Sequence, residues 1–254
     1  MIKAIVFDVG GVLRNTSETF DFVFRKVFEE FGLKYSFKTL GVWHLRGFGD
    51  LNPRRAILRA LLCISRSGEN LADIIKRKDA EEYVHNIIKA YTKPDDDALI
   101  ERMAQRYVYW FYENPESRKY TKIMPYVKEV IEALPKKYTL AVLTDSRLSL
   151  TEKWLQDIGI RKYFKCIIGE EELKNKKPDP EGLLLVAKTL GVKPKEMLYI
   201  GDSAHDILAA KNAGCKSAAV LTGMGFAHVL RTEKPDFVFR DLNELCDSLM
   251  PNDN

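Results

Sequence analysis

The sequence predicts an α/β protein: a doubly wound parallel sheet interrupted, after its first strand, by an all-helical insertion. Three observations carry this expectation. Short apolar runs alternate with amphipathic runs of helix length through the second half of the chain. The interval from about 16 to 123 holds helix signals alone. The residues able to do chemistry stand where the apolar runs stop.

Ala4-Ile5-Val6-Phe7 is continuously apolar and ends at Asp8 and the Gly10-Gly11 pair, the pattern of a buried strand running into a turn. Phe20, Val23, Phe24, Val27, Phe28 and Phe31 follow at spacings of three and four, and Gly32 closes that helix. Ile57, Leu58, Leu61 and Leu62 repeat the stripe, as do Val84, Ile87, Ile88 and Tyr91; such stripes read as core. The polar stretches 92–97 and 113–117 read as loops between helices. Further buried strands are expected at Thr139 to Leu143, Cys166 to Ile168, Leu198 to Ile200 and Ala218 to Leu221, with an edge strand at Phe237 to Phe239. Helices closed by glycine are expected between them, at Leu150 to Ile158, Pro180 to Leu190 and Ala204 to Ala213.

Composition narrows the classes of function. The 254 residues are 46% hydrophobic and 30% charged with a net charge of +4, too small an excess to demand nucleic acid. Opposite charges are interleaved, as on solvated helix faces. No apolar run approaches membrane-spanning length, and four scattered cysteines suggest neither a zinc site nor a disulfide framework. A reduced, cytoplasmic setting is expected. Glutamine occurs only at Gln105 and Gln156, which with the load of Lys, Glu and Arg points to a thermophilic source.

In an open parallel sheet the carboxyl ends of the strands share one crevice. Here those ends supply Asp8, then Thr144-Asp145-Ser146, then Gly201-Asp202-Ser203 with Asp206 four residues beyond Asp202; a basic segment from Lys174 to Lys177 precedes Pro178. Singly, each has an ordinary reading: a turn cap, a strand-end hydroxyl, helix N-terminal acids, a solvated lysine run. Together, carboxylates, a hydroxyl and a lysine suit a hard divalent cation and an anionic substrate. A carboxylate can attack phosphorus and split one hard hydrolysis into two easier steps, provided that positive charge offsets its repulsion from a dianion.

The segments VFDVGGVL, LAVLTDS, KKPDPEG and YIGDSAHDILAAKNAG, in that order, resemble the four motifs of the haloacid dehalogenase-like superfamily. The resemblance implies a Rossmann-like core formed by 1–15 and 124–254, and a helical cap, 16–123, that selects the substrate. It implies that Asp8 is the nucleophile, Thr144 the phosphate-binding hydroxyl and Lys177 the neutralising lysine. Mg2+ would be held by Asp8, the Gly10 carbonyl, Asp202 and Asp206. Gly11, Asp145 and Ser146 are expected at the phosphate, and His44 and Arg46 in the cap segment 42–50 are expected to read the rest of a small phosphate ester. That segment is equally readable as an ordinary interhelical loop with a half-buried Trp43.

One position departs from the pattern. Family phosphatases carry a second aspartate two residues after the nucleophile as general acid and base, and this chain has Gly10 there. A magnesium-dependent phosphomonoesterase favouring good leaving groups is the expectation. The alternatives are a 2-haloacid dehalogenase and a non-catalytic phosphate-binding module; a phosphomutase is disfavoured because the missing acid is central to phosphoryl shuttling.

Overall fold

The computed structural model describes residues 1–225 and 227–250. The chain opens with β1 (Ala4–Phe7) and the short β2 (Arg14–Asn15). Six helices follow: α1 (Ser17–Glu30), α2 (Thr39–Leu45), α3 (Arg54–Ser67), α4 (Leu71–Ile74), α5 (Ala80–Tyr91) and α6 (Asp96–Val108). After the short β3 (Lys122–Ile123), strand and helix alternate: α7 (Val127–Ala133), β4 (Thr139–Leu143), α8 (Leu148–Asp157), β5 (Phe164–Ile168), α9 (Glu181–Leu190), β6 (Met197–Gly201), α10 (Ala204–Ala213), β7 (Lys216–Val220), α11 (Ala227–Thr232), β8 (Phe237–Phe239) and α12 (Leu242–Leu249). Two compact units result: Met1–Asn15 with Ile123–Asn254, and Thr16–Lys122. The expected core segment ends at 254, and its residues 251–254 lie outside those described.

The first unit is an α/β fold. Its main sheet has the order β5-β4-β1-β6-β7-β8, every pair parallel, while β2 and β3 pair separately. Helices cover both faces, which is why the central strands are apolar at every position. Ile5 and Phe7 pack with Val127, Ile131, Leu155 and Leu245 on one face; Ala4 and Val6 pack with Leu183, Val186, Ala209 and Ala210 on the other. β1 lies in the middle of the sheet, so all four of its residues have zero exposure.

The second unit is helical throughout. Its core is aromatic: Phe20 stacks on Phe111 with centroids 5.0 Å apart, Phe111 stacks on Tyr107 at 5.4 Å, and Trp43 lies 5.8 Å from Phe20. Arg66 clamps the buried Asp96 with two hydrogen bonds, of 2.6 and 2.7 Å, and the Lys93 amide adds a third at 2.8 Å.

Elements differ from the sequence expectations at several places: β5 begins at Phe164 and not Cys166, and the expected loop 92–97 ends early because α6 begins at Asp96. Val42 to Leu45 belong to α2 and not to a loop, because Val42, Trp43 and Leu45 bury on one face; Trp43 is 4% exposed, not half-buried. Segment 113–117 is not an open loop either: Pro115–Tyr120 forms a 3₁₀ turn, with Pro115 at its first position and the Asn114 side chain accepting from the Glu116 amide. Among the described residues no helix is long and apolar enough to cross a membrane.

Candidate active site

Parallel register brings the strand ends level. Phe7 pairs with Val142 on β4 and with Ile200 on β6, so Asp8, Thr144 and Asp202 emerge from three adjacent strands at the same edge. The ladder continues into the site: the Asp8 amide donates to the Ile200 carbonyl (2.9 Å) and the Thr144 amide to the Ile168 carbonyl (3.0 Å). Each functional side chain is thus carried by backbone that the sheet already holds, which limits the entropy lost on arranging them.

Lys177 arrives from the segment between β5 and α9 and is the hub. Its ammonium donates to Asp206 Oδ1 (2.6 Å), Asp8 Oδ1 (2.8 Å) and the Tyr199 hydroxyl (3.0 Å). Asp206, in the first turn of α10, accepts at Oδ1 from Lys177 and Tyr199, and at Oδ2 from the Ser203 hydroxyl (2.6 Å), the Ser203 amide (3.0 Å) and the Asp202 amide (3.2 Å). Asp202 Oδ2 accepts from the Met224 amide at 2.8 Å. Asp8, Thr144, Asp202 and Asp206 are all buried.

Burial sets the electrostatics. It pushes the Asp8 carboxyl up to about 7 against the pull of the Lys177 charge, with Asp206 adding to the rise. Asp202 is driven well above the carboxylate range by burial and then by Asp206 and Asp8. For Asp206 burial acts in the same direction, but the charge of Lys177 and the bonds from Lys177, Ser203 and Tyr199 outweigh it and hold the group low. Burial would lower Lys177; Asp206 and Asp8 overcome it and keep the ammonium charged.

Oxygens of Asp8, Asp202 and Asp206 lie within 4.8 Å of one another. Three hard carboxylate donors, two of them shifted upward chiefly by burial with the Asp206 charge adding to the rise, fit a divalent cation such as Mg2+. Asp8 and Asp202 have oxygens to offer directly. Asp206 already accepts five protein hydrogen bonds, so it joins such a shell through water or by giving one up. Among the described residues a second grouping, Asp50, Glu81 and His85, faces solvent on the helical unit.

The other expected residues divide. Thr144 Oγ accepts from the Ser146 amide (3.2 Å), and among the described residues its own proton is uncommitted. Asp145 Oδ1 accepts from the Lys177 amide (3.4 Å) and so supports the lysine loop. Gly11 adopts φ +74, its amide donates to the Arg14 carbonyl (2.9 Å), and a Cβ there would collide with the Asp202 carboxylate, so its visible role is close approach. Gly10 has room: an added Cβ would meet only Asp8 Oδ2, at 3.9 Å. His44 and Arg46 belong to the helical unit, where the Arg46 guanidinium lies 3.5 Å over the Phe20 ring and donates to Asn52 (2.8 Å).

Sequence reasoning missed two supports. Tyr199 looks like one more apolar strand residue, and its hydroxyl shows no pattern. The segment Thr222 to Gly225 after β7 holds Asp202 by the Met224 and Gly225 amides, and the Thr222 hydroxyl donates to the Gly11 carbonyl (2.8 Å). Its Thr-Gly-x-Gly run at a strand end was the available signal.

The sequence pattern of haloacid dehalogenase-like hydrolases matches residues 5–220. A phosphoglycolate phosphatase of Shigella boydii is 34% identical over 166 residues, 63% of this chain and 66% of that enzyme, just under two thirds of its length. One of Salmonella typhimurium is 32% identical over 188 residues, 71% of this chain and 75% of its own. Among solved structures, a haloacid dehalogenase-like family hydrolase from Streptococcus pneumoniae has the same fold, with a TM-score of 0.69 at 19% identity, covering 98% of both chains.

Proposed function

The chain belongs to the haloacid dehalogenase-like hydrolase family, and on that premise we propose that it is a magnesium-dependent phosphomonoesterase that acts on a small phosphorylated metabolite through Asp8. The observation that carries this reading is the buried Asp8 carboxylate, held at Oδ1 by Lys177 and flanked by Asp202 and Asp206. No hydrogen-bond donor among the described residues reaches Asp8 Oδ2, which leaves that oxygen available to attack.

In the first step Asp8 forms a bond to phosphorus as the ester P–O bond breaks, giving an aspartyl-phosphate and an alkoxide or phenolate. The Thr144 hydroxyl and the Lys177 ammonium donate to the phosphoryl oxygens. Bound Mg2+ would supply the positive charge that offsets repulsion between Asp8 and the dianion. In the second step water attacks phosphorus, releases inorganic phosphate and a proton, and returns the Asp8 carboxylate. With Gly10 in place of the family's acid, the leaving group receives no proton from that position. Acyl, aryl and anomeric phosphates are therefore the favoured class.

Relatives named phosphoglycolate phosphatases make 2-phosphoglycolate, an alkyl ester, the natural comparison. Selection is assigned to the helical unit, with Arg46 and His44 as the residues that read the organic part of the ester. The test is phosphate release from p-nitrophenyl phosphate, acetyl phosphate and 2-phosphoglycolate, with Mg2+ and with chelator, on wild type and Asp8→Asn. Release that needs Mg2+ and vanishes in the variant supports the reading. No release from any ester would favour a binding module, and dechlorination of a 2-chloroacid without metal would favour a dehalogenase.

A further inference from the structure

Lys177 has three ammonium protons and three protein acceptors: Asp8, Asp206 and Tyr199. Two of those acceptors belong to the chemistry, so their bonds to the lysine must change as a substrate enters. The third does not. Tyr199 sits on β6, 1% exposed, with its ring among Leu183, Val186 and Ala210. Its hydroxyl accepts from Lys177 at 3.0 Å and sends its own proton to Asp206 Oδ1 (3.0 Å) or the Leu143 carbonyl (3.4 Å). A buried hydroxyl in an otherwise apolar strand costs free energy unless it is fully bonded, and here its partners are Lys177, Asp206 on α10 and the last carbonyl of β4.

We propose that Tyr199 is a positioning residue: its hydroxyl tethers the Lys177 ammonium between Asp8 and Asp206, so that one N–H can turn to a phosphoryl oxygen without the lysine leaving the site. The inference rests on the phosphatase reading above. The ring provides packing and the hydroxyl provides the tether, so Tyr199→Phe separates the two. Without the hydroxyl, a buried lysine N–H loses its acceptor and Asp206 Oδ1 loses a donor. The ammonium then follows whichever carboxylate is more negative, and its placement degrades most as charge develops on the transferring group.

The test measures kcat and KM for p-nitrophenyl phosphate with Mg2+ in wild type, Tyr199→Phe, Lys177→Met and the double variant, with thermal melts to establish that each is folded. Expected is about a tenfold fall in kcat for Tyr199→Phe with KM within about threefold, shrinking to less than about twofold in the Lys177→Met background. The same factor in both backgrounds would mean a structural effect and overturn the proposal, as would unchanged kcat in the single variant. If wild type turns over no ester, the Kd for inorganic phosphate by calorimetry with Mg2+ supplies the same four-protein comparison. A wild type that neither turns over nor binds phosphate overturns the phosphatase reading and this inference together; an active wild type unaffected by Tyr199→Phe overturns the inference alone.

Discussion

Between Gly10 and Asp8 the structure leaves a space: a Cβ built on Gly10 would lie 3.9 Å from Asp8 Oδ2 and touch nothing closer. The first carbon of a side chain at this position therefore has room, and it starts beside the Asp8 oxygen to which the proposed function assigns the attack. Gly10→Asp is expected to raise kcat for an alkyl phosphate such as 2-phosphoglycolate by about 100-fold, and to change an aryl phosphate far less, because only the poor leaving group needs a proton. Matched kinetics on the two esters check this. Equal gains on both would show that proton delivery is not what Gly10 removes.

Metal binding is readable without turnover. A cation that binds the folded site at about 100 times its Kd stabilises the protein by roughly 2.7 kcal/mol. Melting temperature should rise with Mg2+ in wild type and should not in Asp202→Asn. Glu81→Gln, in the solvent-facing group on the helical unit, should leave the rise intact. A Mg2+ shift that survives Asp202→Asn would place the cation elsewhere.

Gly223 tests the support of Asp202. A Cβ at this position would run into the Asp202 side chain, which the Met224 amide holds at 2.8 Å. Gly223→Ala is expected to weaken Mg2+ binding by about 10- to 100-fold, in the range found when groups that orient a metal ligand are disturbed. Mg2+ titration of activity reports it: half-saturation moves up, while the rate at saturating Mg2+ recovers in large part.

Asp96 carries a stability prediction for the helical unit. The hydrogen bonds from Arg66 depress its carboxyl against the effect of burial, and the side chain is 2% exposed. A depressed acid stabilises the fold above its unfolded pKa of about 3.9, and that contribution is lost as pH falls through the lower folded value. Asp96→Asn should cost about 2 kcal/mol at pH 7, and the gap from wild type should begin to narrow below about pH 4. Urea unfolding at pH 7, 4 and 3 measures it; a gap that widens as pH falls below 4 would count against the ion pair.

The alternation of apolar strands and glycine-closed helices was legible because parallel strands buried on both faces are apolar at every position, and Gly159, Gly191 and Gly214 all take positive φ at helix ends. Boundaries slipped where a partner decided them. β5 begins at Phe164 because Leu140 of β4 pairs with it, the register shifting past Lys165 before Ala141 pairs with Cys166, and Val42 to Leu45 become helix because an aromatic core waits on one side. Asp8, Thr144 and Asp202 stand together because strand-end residues of a parallel sheet converge whatever their side chains, and Asp206 joins them from the first turn of α10.

What the sequence determined by itself was the family of the chain, the identity of its strand-end residues and the substitution at Gly10, all of which are local in the chain or set by the order of motifs. Tertiary structure decided how those residues are wired. That Tyr199 faces Lys177, that Asp206 is saturated by five donors, and that Thr222 to Gly225 brace Asp202 depend on register across three strands and on two loops far apart in sequence. A hydrogen bond needs partners within about 3 Å, and no spacing along the chain encodes that distance when the partners lie on different strands.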